Sequence, residues 1–182
     1  TYCSFDFGYR MPAVGWFQTN MVEGKWHVNI IDEIIHKTNV KTDELARQVK
    51  SRPYNVQAYF GDPAGKSVQG QSGLGDIEIF RKFGMSIRSV RDRVSTNIAS
   101  GISHVRSFME NAKGERFVHL DQKCKGLAED FENYRYPEHK EGTNLKPDPL
   151  KDGYHDHGMD MVRYFFTNRF PIRNTKLRLE PR

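Results

Sequence analysis

Five residues of this sequence could do chemistry together. Asp6 lies in FDFG, Asp62 in AYFGDPAGKS, and Asp156, His157 and Asp160 in HDHGMD. Asp156 and Asp160 are spaced i, i+4, and His157 and Asp160 i, i+3, so each pair shares a helix face. Carboxylates crowded together repel, and they stay ionised together only when a cation neutralises them. Oxygen ligands with one imidazole suit Mg²⁺ or Mn²⁺. Two such ions, roughly 3.5–4 Å apart, activate a water and stabilise the leaving oxygen of a phosphodiester. In that chemistry all five residues are candidate metal ligands, and the spacing does not choose among Asp156, His157 and Asp160.

Each residue also has a plainer reading. Asp62 precedes Pro63 and reads as a turn aspartate. Asp156 at a helix start reads as an N-cap, which does not exclude ligation. His157 reads as a surface histidine. Asp6 and Asp160 sit among apolar neighbours, where an unpaired carboxylate is costly, so function explains them better. His155 and His157 suggest zinc, but their i, i+2 spacing does not put both imidazoles on one helix face.

Gly65-Lys66-Ser67 looks like the end of a nucleotide-binding loop. The full pattern needs a glycine five positions before Gly65, and Phe60 stands there. A bulky residue blocks the close approach of backbone to phosphate, and Pro63 removes one N–H donor. The sequence therefore argues against an ATPase.

These residues need elements to position them. TYCSFDFGYR alternates, with Cys3, Phe5 and Phe7 on one face and Tyr2, Ser4 and Asp6 on the other. AVGWFQTN and WHVNIIDEIIH follow after short links, which predicts an antiparallel meander. TDELARQVKSR reads as a helix capped by Thr42 with Leu45 and Val49 inward. VQAYFGD is a fourth strand ending at Asp62. A glycine-rich loop, a short helix (IEIFRKFG) and a fifth strand (SIRSVR) come next. TNIASGISHVRSFMENA is a helix with Ile98, Ile102, Val105 and Met109 at helical spacing. FVHLD is a short extra strand, and Asp121 is the expected cap of the helix CKGLAEDFENYRY, with Leu127, Phe131 and Tyr134 inward. A polar loop over 137–153 leads to a last helix starting near Asp156 and burying Met159, Val162 and Phe166. Helical crossovers between later strands imply parallel pairing. The expected fold class is α/β, a mixed β-sheet of antiparallel meander plus parallel strands, flanked by helices. If the first and fourth strands are neighbours, Asp6 and Asp62 come side by side and the last helix brings Asp160 over them.

Composition sets the outer limits. The chain has 182 residues, enough for one domain with a real core, of which 37% are hydrophobic and 28% charged. No apolar run is long enough to span a bilayer and no secretory signal is evident, so neither a membrane partner nor secretion is expected. Cys3 and Cys124 are too few for a disulfide framework, which fits a reducing cytosol, and packing is their default role. The net charge of +5 is compatible with nucleic acid. The chain opens inside a strand, as a domain cut from a longer protein would. One domain over 1–170 and a basic tail over 171–182 are expected.

With these elements in place, the chain resembles the ribonuclease H-like fold. Within it, FDFGYRMPAVGW, AYFGDPAGKS, NIASGISHVRSFM, FVHLDQKCKGLAEDFENYRY and DHGMDMVRYF resemble the C-terminal nuclease domain of the large terminase subunit of tailed bacteriophages. The likeness runs over about residues 2–168, and its most specific motif is D-H-x-x-D-x-x-R-Y. It implies a metal-dependent endonuclease that cuts concatemeric double-stranded viral DNA with two Mg²⁺ or Mn²⁺ ions in the cytoplasm of the infected bacterial host. It implies partners too: a terminase ATPase domain, absent from this chain, a small subunit, and the portal of the procapsid. Asp6 would bridge the metals, Asp62 would be the fourth-strand ligand, and Asp160 the late-helix ligand, with His157 or Asp156 contributing. Lys66, Arg88, Arg91 and Arg93 are the expected DNA contacts, with the basic tail behind them; singly, each also reads as a solvated charge. Two alternatives stay open: a DNA-binding or capsid-docking module of the same fold, inactive in isolation, and a junction-resolvase-like nuclease.

Overall fold

β1 (Tyr2–Asp6) is a two-sided strand, and its alternation organises the molecule. The structure is a computed structural model that describes residues 1–7, 10–62, 75–89, 96–138 and 148–172. β1 pairs antiparallel with β2 (Ala13–Val22), which pairs antiparallel with β3 (Lys25–Ile34). After α1 (Thr42–Lys50) the chain returns as β4 (Ala58–Gly61), parallel to β1. α2 (Asp76–Lys82) leads to β5 (Ile87–Arg88), parallel to β4. α3 (Ile98–Met109) leads to β6 (Val118–Leu120), parallel to β3 at the opposite edge. α4 (Lys125–Asn133) and α5 (His155–Arg169) complete the order. Among the described residues the strands form one sheet in the order β5-β4-β1-β2-β3-β6. This is the expected mixed sheet of meander and parallel strands.

The two faces of the sheet carry separate cores. Cys3, Phe5, Val14, Trp16 and Ile34 pack with Leu45 and Val49 of α1 and Phe80 of α2. Ala13, Phe17, Val28, Ile30 and Phe60 pack with Met161, Val162, Phe165 and Phe166 of α5. Phe17 and Phe165 stack in parallel, centroids 3.9 Å apart. Each ring buried this way contributes about 1.5–3 kcal/mol. Gly15 lets α5 lie close on β2, because a Cβ there would stand 2.6 Å from the Met161 sulfur. Ser4 secures the helix further, its hydroxyl donating to the Met161 carbonyl at 2.9 Å.

Several local expectations are corrected. Thr42 is the first residue of α1 and not its cap; the cap position is Lys41, and the Thr42 hydroxyl donates to Asp76 at 2.6 Å instead, tying α1 to α2. Asp121 does not cap α4, whose cap position is Cys124; it builds the preceding turn by accepting from the Lys123 N–H at 3.0 Å. The α4 N-terminus is held by Glu33 of β3, which accepts from the Gly126 and Leu127 N–H groups at 2.9 Å each. Asn97 caps α3 through the Ser100 N–H. Met109 is exposed and Met159 only half-buried, because both line a groove of about 390 Å³ with Ile102, Phe131 and Tyr134. Cys3 and Cys124 are buried, unbridged packing residues, as expected.

Candidate functional site

Parallel neighbours end together, and this places the acids. Asp6 is the last residue of β1, and Asp62 directly follows β4. Asp6 lies on the Tyr2/Ser4 side of its strand, the side α5 covers. The first turns of α5 therefore project onto it: His157 Nδ1 stands 2.8 Å from Asp6 Oδ2. Asp160, one turn on, is 4% exposed and Asp6 7%.

The electrostatics show how closely the acids crowd. Burial pushes the Asp6 carboxyl up to about 6; the His157 hydrogen bond opposes that, and the charges of Asp160 and Asp62 add to it. His157 is raised in turn, chiefly by its hydrogen bond to Asp6. Tyr164, half-buried beside them, is raised by burial and then by Asp160, Asp6 and Asp62. Asp6, Asp62, Asp160 and His157 thus belong to one electrostatic cluster.

Asp160 is held by two cations to which the sequence analysis gave no role, although Arg163 stands in the D-H-x-x-D-x-x-R-Y motif. Arg163, one turn later in α5, donates to Asp160 Oδ1 from Nε at 3.1 Å and from an outer guanidinium nitrogen at 2.8 Å. Its guanidinium lies over the Tyr164 ring, 4.5 Å from the centroid. Lys151, from the loop before α5, donates to Asp160 Oδ2 at 2.9 Å. Burial pulls the Lys151 ammonium down, but Asp160, Asp156 and Asp6 outweigh it and raise it. An i, i+3 Asp–Arg spacing was there to be read for Arg163; nothing in the sequence marks Lys151.

Asp156 plays a local part. Its Oδ1 accepts from the Gly153 N–H at 2.8 Å, fixing the loop that enters α5, and its charge helps raise His157 and Lys151. α5 begins at His155, so Asp156 lies in its first turn and not at its cap. His155 and His157 turn to different carboxylates, Asp152 and Asp6, so the zinc pairing of those two histidines does not form. Arg88 is exposed on β5 at the sheet edge. Lys66, Arg91, Arg93, the glycine-rich loop and the tail from residue 173 lie outside the described residues.

The donor set suits a hard divalent cation: carboxylates from two adjacent strand ends and a helix, with one imidazole. As the side chains stand, no three His, Cys, Asp or Glu residues among the described ones are arranged to hold an ion. His157 occupies Asp6, and Lys151 and Arg163 occupy Asp160. Burial and, after it, the charges of Asp160 and Asp62 disfavour the ionised Asp6, and a dication would offset both, so the residues fit such an ion once those pairs open.

No family model and no curated protein matches the sequence. Two solved structures are similar. One is the nuclease domain of the g2p large terminase from bacteriophage SPP1 with bound Mn, at a TM-score of 0.64 and 17% identity, covering 93% of this chain and 87% of that one. The other is the P22 large terminase nuclease domain, at 0.66 and 19%, covering 92% and 80%. At that identity the likeness speaks to architecture, and the chain has the ribonuclease H-like fold seen in large terminase nuclease domains.

Proposed function

We propose that this chain is a metal-dependent endonuclease domain of a viral DNA-packaging terminase, acting on double-stranded DNA. The observation that carries the reading is the Asp6–Asp62–Asp160 cluster, with His157, at the ends of adjacent parallel strands under α5. Its similarity to two terminase nuclease domains, one with bound Mn, supports the same reading. Asp6, Asp62 and Asp160 would hold Mg²⁺ or Mn²⁺, with His157, and Asp156 if its loop contact opens. When bound, two such ions supply a hydroxide nucleophile and stabilise the leaving oxygen. The chain's own residues do the rest. Asp6 and Asp62 project from strand ends, so their positions are rigid. His157 orients the Asp6 carboxylate, with Nδ1 2.8 Å from Asp6 Oδ2. Basic residues, Arg88 among them and Lys66, Arg91 and Arg93 as further candidates, hold the phosphodiester backbone without reading sequence. The terminase motor, small subunit, portal and host cytoplasm are the setting this reading implies.

The test is cleavage of supercoiled plasmid with Mg²⁺, Mn²⁺ or EDTA. Wild type is expected to cut with metal, and Asp6→Asn and Asp62→Ala to lose at least 100-fold of that rate. Metal-independent cutting, or full activity in both variants, would overturn the assignment. A second reading has one observation in its favour. The Asp160 carboxylate is paired with Lys151 and Arg163, which fits a domain that binds DNA but cuts only when its motor presents the substrate. DNA binding without cleavage, unchanged by Asp62→Ala, would favour it.

A further inference from the structure

α3 and α4 both pack along α5, and mainly on it rather than on each other. They leave a groove of about 390 Å³ between them, floored by α5. Its apolar lining comes from Ile102, Val105 and Met109 of α3, Phe131 of α4 and Met159 of α5. Arg163 reaches it from the acid cluster; the other lining residues have no part in the nuclease reading.

Ile102, Val105, Arg106 and Met109 stand at i, i+3, i+4 and i+7, the stripe by which a helix meets a neighbouring helix. Only part of that stripe is covered. Val105 is buried in the core on the α5 side of the sheet, whereas Met109 is 37% exposed. Tyr136, just after α4, is 41% exposed on the other wall. Two turns of α3 thus present apolar side chains to an open slot, the form that an amphipathic helix fills in helix-in-groove recognition.

The charge at the rim selects the occupant. Glu110 is engaged by Arg116, whose Nε donates to it at 3.0 Å. Arg163 is spent on Asp160. Arg106 is exposed and has no carboxylate partner among the described residues; its guanidinium lies over the Tyr136 ring, 5.8 Å from the centroid. Among the described residues, the uncompensated charge of the groove is therefore positive, and an acidic partner complements it.

We propose that this groove docks an amphipathic helix of a partner protein, which lays large apolar side chains spaced i, i+4 and i+7 between α3 and α4 and sets an aspartate or glutamate against Arg106. The apolar anchors supply the affinity, and the Arg106 contact selects acidic helices over basic ones.

The experiment uses the whole chain and a displayed library of peptides of about 18 residues, long enough to hold a helix. Leu, Met or Phe is fixed at i, i+4 and i+7, and the flanking positions vary among Glu, Lys and Gln. Panning against wild type, with counter-selection on Met109→Lys, is expected to enrich glutamate-flanked peptides. By fluorescence anisotropy, an enriched peptide should bind Met109→Lys at least 10-fold more weakly and Arg106→Glu about 10-fold more weakly. The same peptide with lysine in place of glutamate should bind Arg106→Glu better than wild type, a gain that an unfolded variant cannot give. No peptide that prefers wild type to Met109→Lys overturns the proposal. So does enrichment of lysine-flanked or uncharged peptides, or binding unmoved by Arg106→Glu. Self-association in sedimentation that Met109→Lys abolishes would give the groove to a second copy of the chain and overturn it too. Plasmid cleavage plays no part in this readout, so failure here and failure of the nuclease reading are distinguishable.

Discussion

Asp6 is a carboxylate kept where it is poorly solvated and surrounded by like charge. Raising its value from 3.8 to about 6 corresponds to about 3 kcal/mol of disfavoured ionisation. The folded chain therefore holds this proton more tightly than the unfolded one. Stability falls as pH rises from about 4 to about 6 and stays lower above. His157 runs alongside: its raised value gives stability that is present at low pH and lost as pH rises through the folded value. Asp6→Asn is thus expected to abolish cleavage yet raise the Tm of the metal-free protein by several degrees at pH 8, with the gain shrinking toward pH 4. Melting curves in EDTA at the two pH values check this; equal Tm values for variant and wild type at pH 8 would refute it. Lys151→Ala should act differently. It frees Asp160 Oδ2, so the Mn²⁺ concentration for half-maximal cleavage should drop several-fold, and an unchanged midpoint would show that Lys151 does not compete with metal. Asp6, Asp62, His157 and Asp160 were legible because strand alternation and helix periodicity speak directly about which side chains converge. Lys151 was not, because an irregular loop has no period. The His36–Asp130 contact was not either, since 94 residues separate two groups that share no local pattern.

At the scale of elements, α5 decides whether a site exists, and its seating depends on small residues. Gly158 is the tightest: a Cβ there would come 1.9 Å from Asp130 Oδ2, on a carboxylate that His36 already holds. Gly158→Ala is expected to cost about 3 kcal/mol by forcing α4 and α5 apart, and denaturant unfolding measures it. Asn97→Ala removes only a cap and should cost about 1 kcal/mol. A smaller loss in Gly158→Ala than in Asn97→Ala would contradict this account of the helix packing. The order of strands and helices was readable from turns and periodicity. The caps were not: Thr42 and Asp121 have the right chemistry in the right place, but tertiary partners claimed Thr42, and Asp121 was spent on a turn one residue pair too early. Among the described residues β5 is Ile87–Arg88, and residues 90 and 91 of the expected strand SIRSVR lie outside them.

For the molecule as a whole, a net charge of +5 predicts DNA affinity that is mainly electrostatic. Binding to duplex should weaken steeply between 50 and 200 mM salt. Arg88→Ala should weaken it similarly for all sequences while leaving the fold intact, as fluorescence anisotropy at several salt concentrations would read. A salt-independent affinity, or a sequence preference lost with Arg88, would place DNA elsewhere or point to base reading. The mixed sheet was foreseeable because hairpin links and helical crossovers dictate opposite pairing senses. Separation of the core into two layers follows from the same alternation that set Asp6 apart from Phe5.

The Ser4–Met161 and Asp6–His157 contacts join positions 157 and 151 residues apart. Synthesis at about 5–20 residues per second puts roughly 8–30 s between the appearance of β1 and that of α5. Throughout that interval the nascent chain carries Asp6, and later Asp62, without Asp160 or His157. Contacts of such long sequence separation also form late in folding. The acid cluster therefore comes together only at the end of the domain's synthesis, and on the proposed function a half-made chain would have nothing with which to cut the DNA around it.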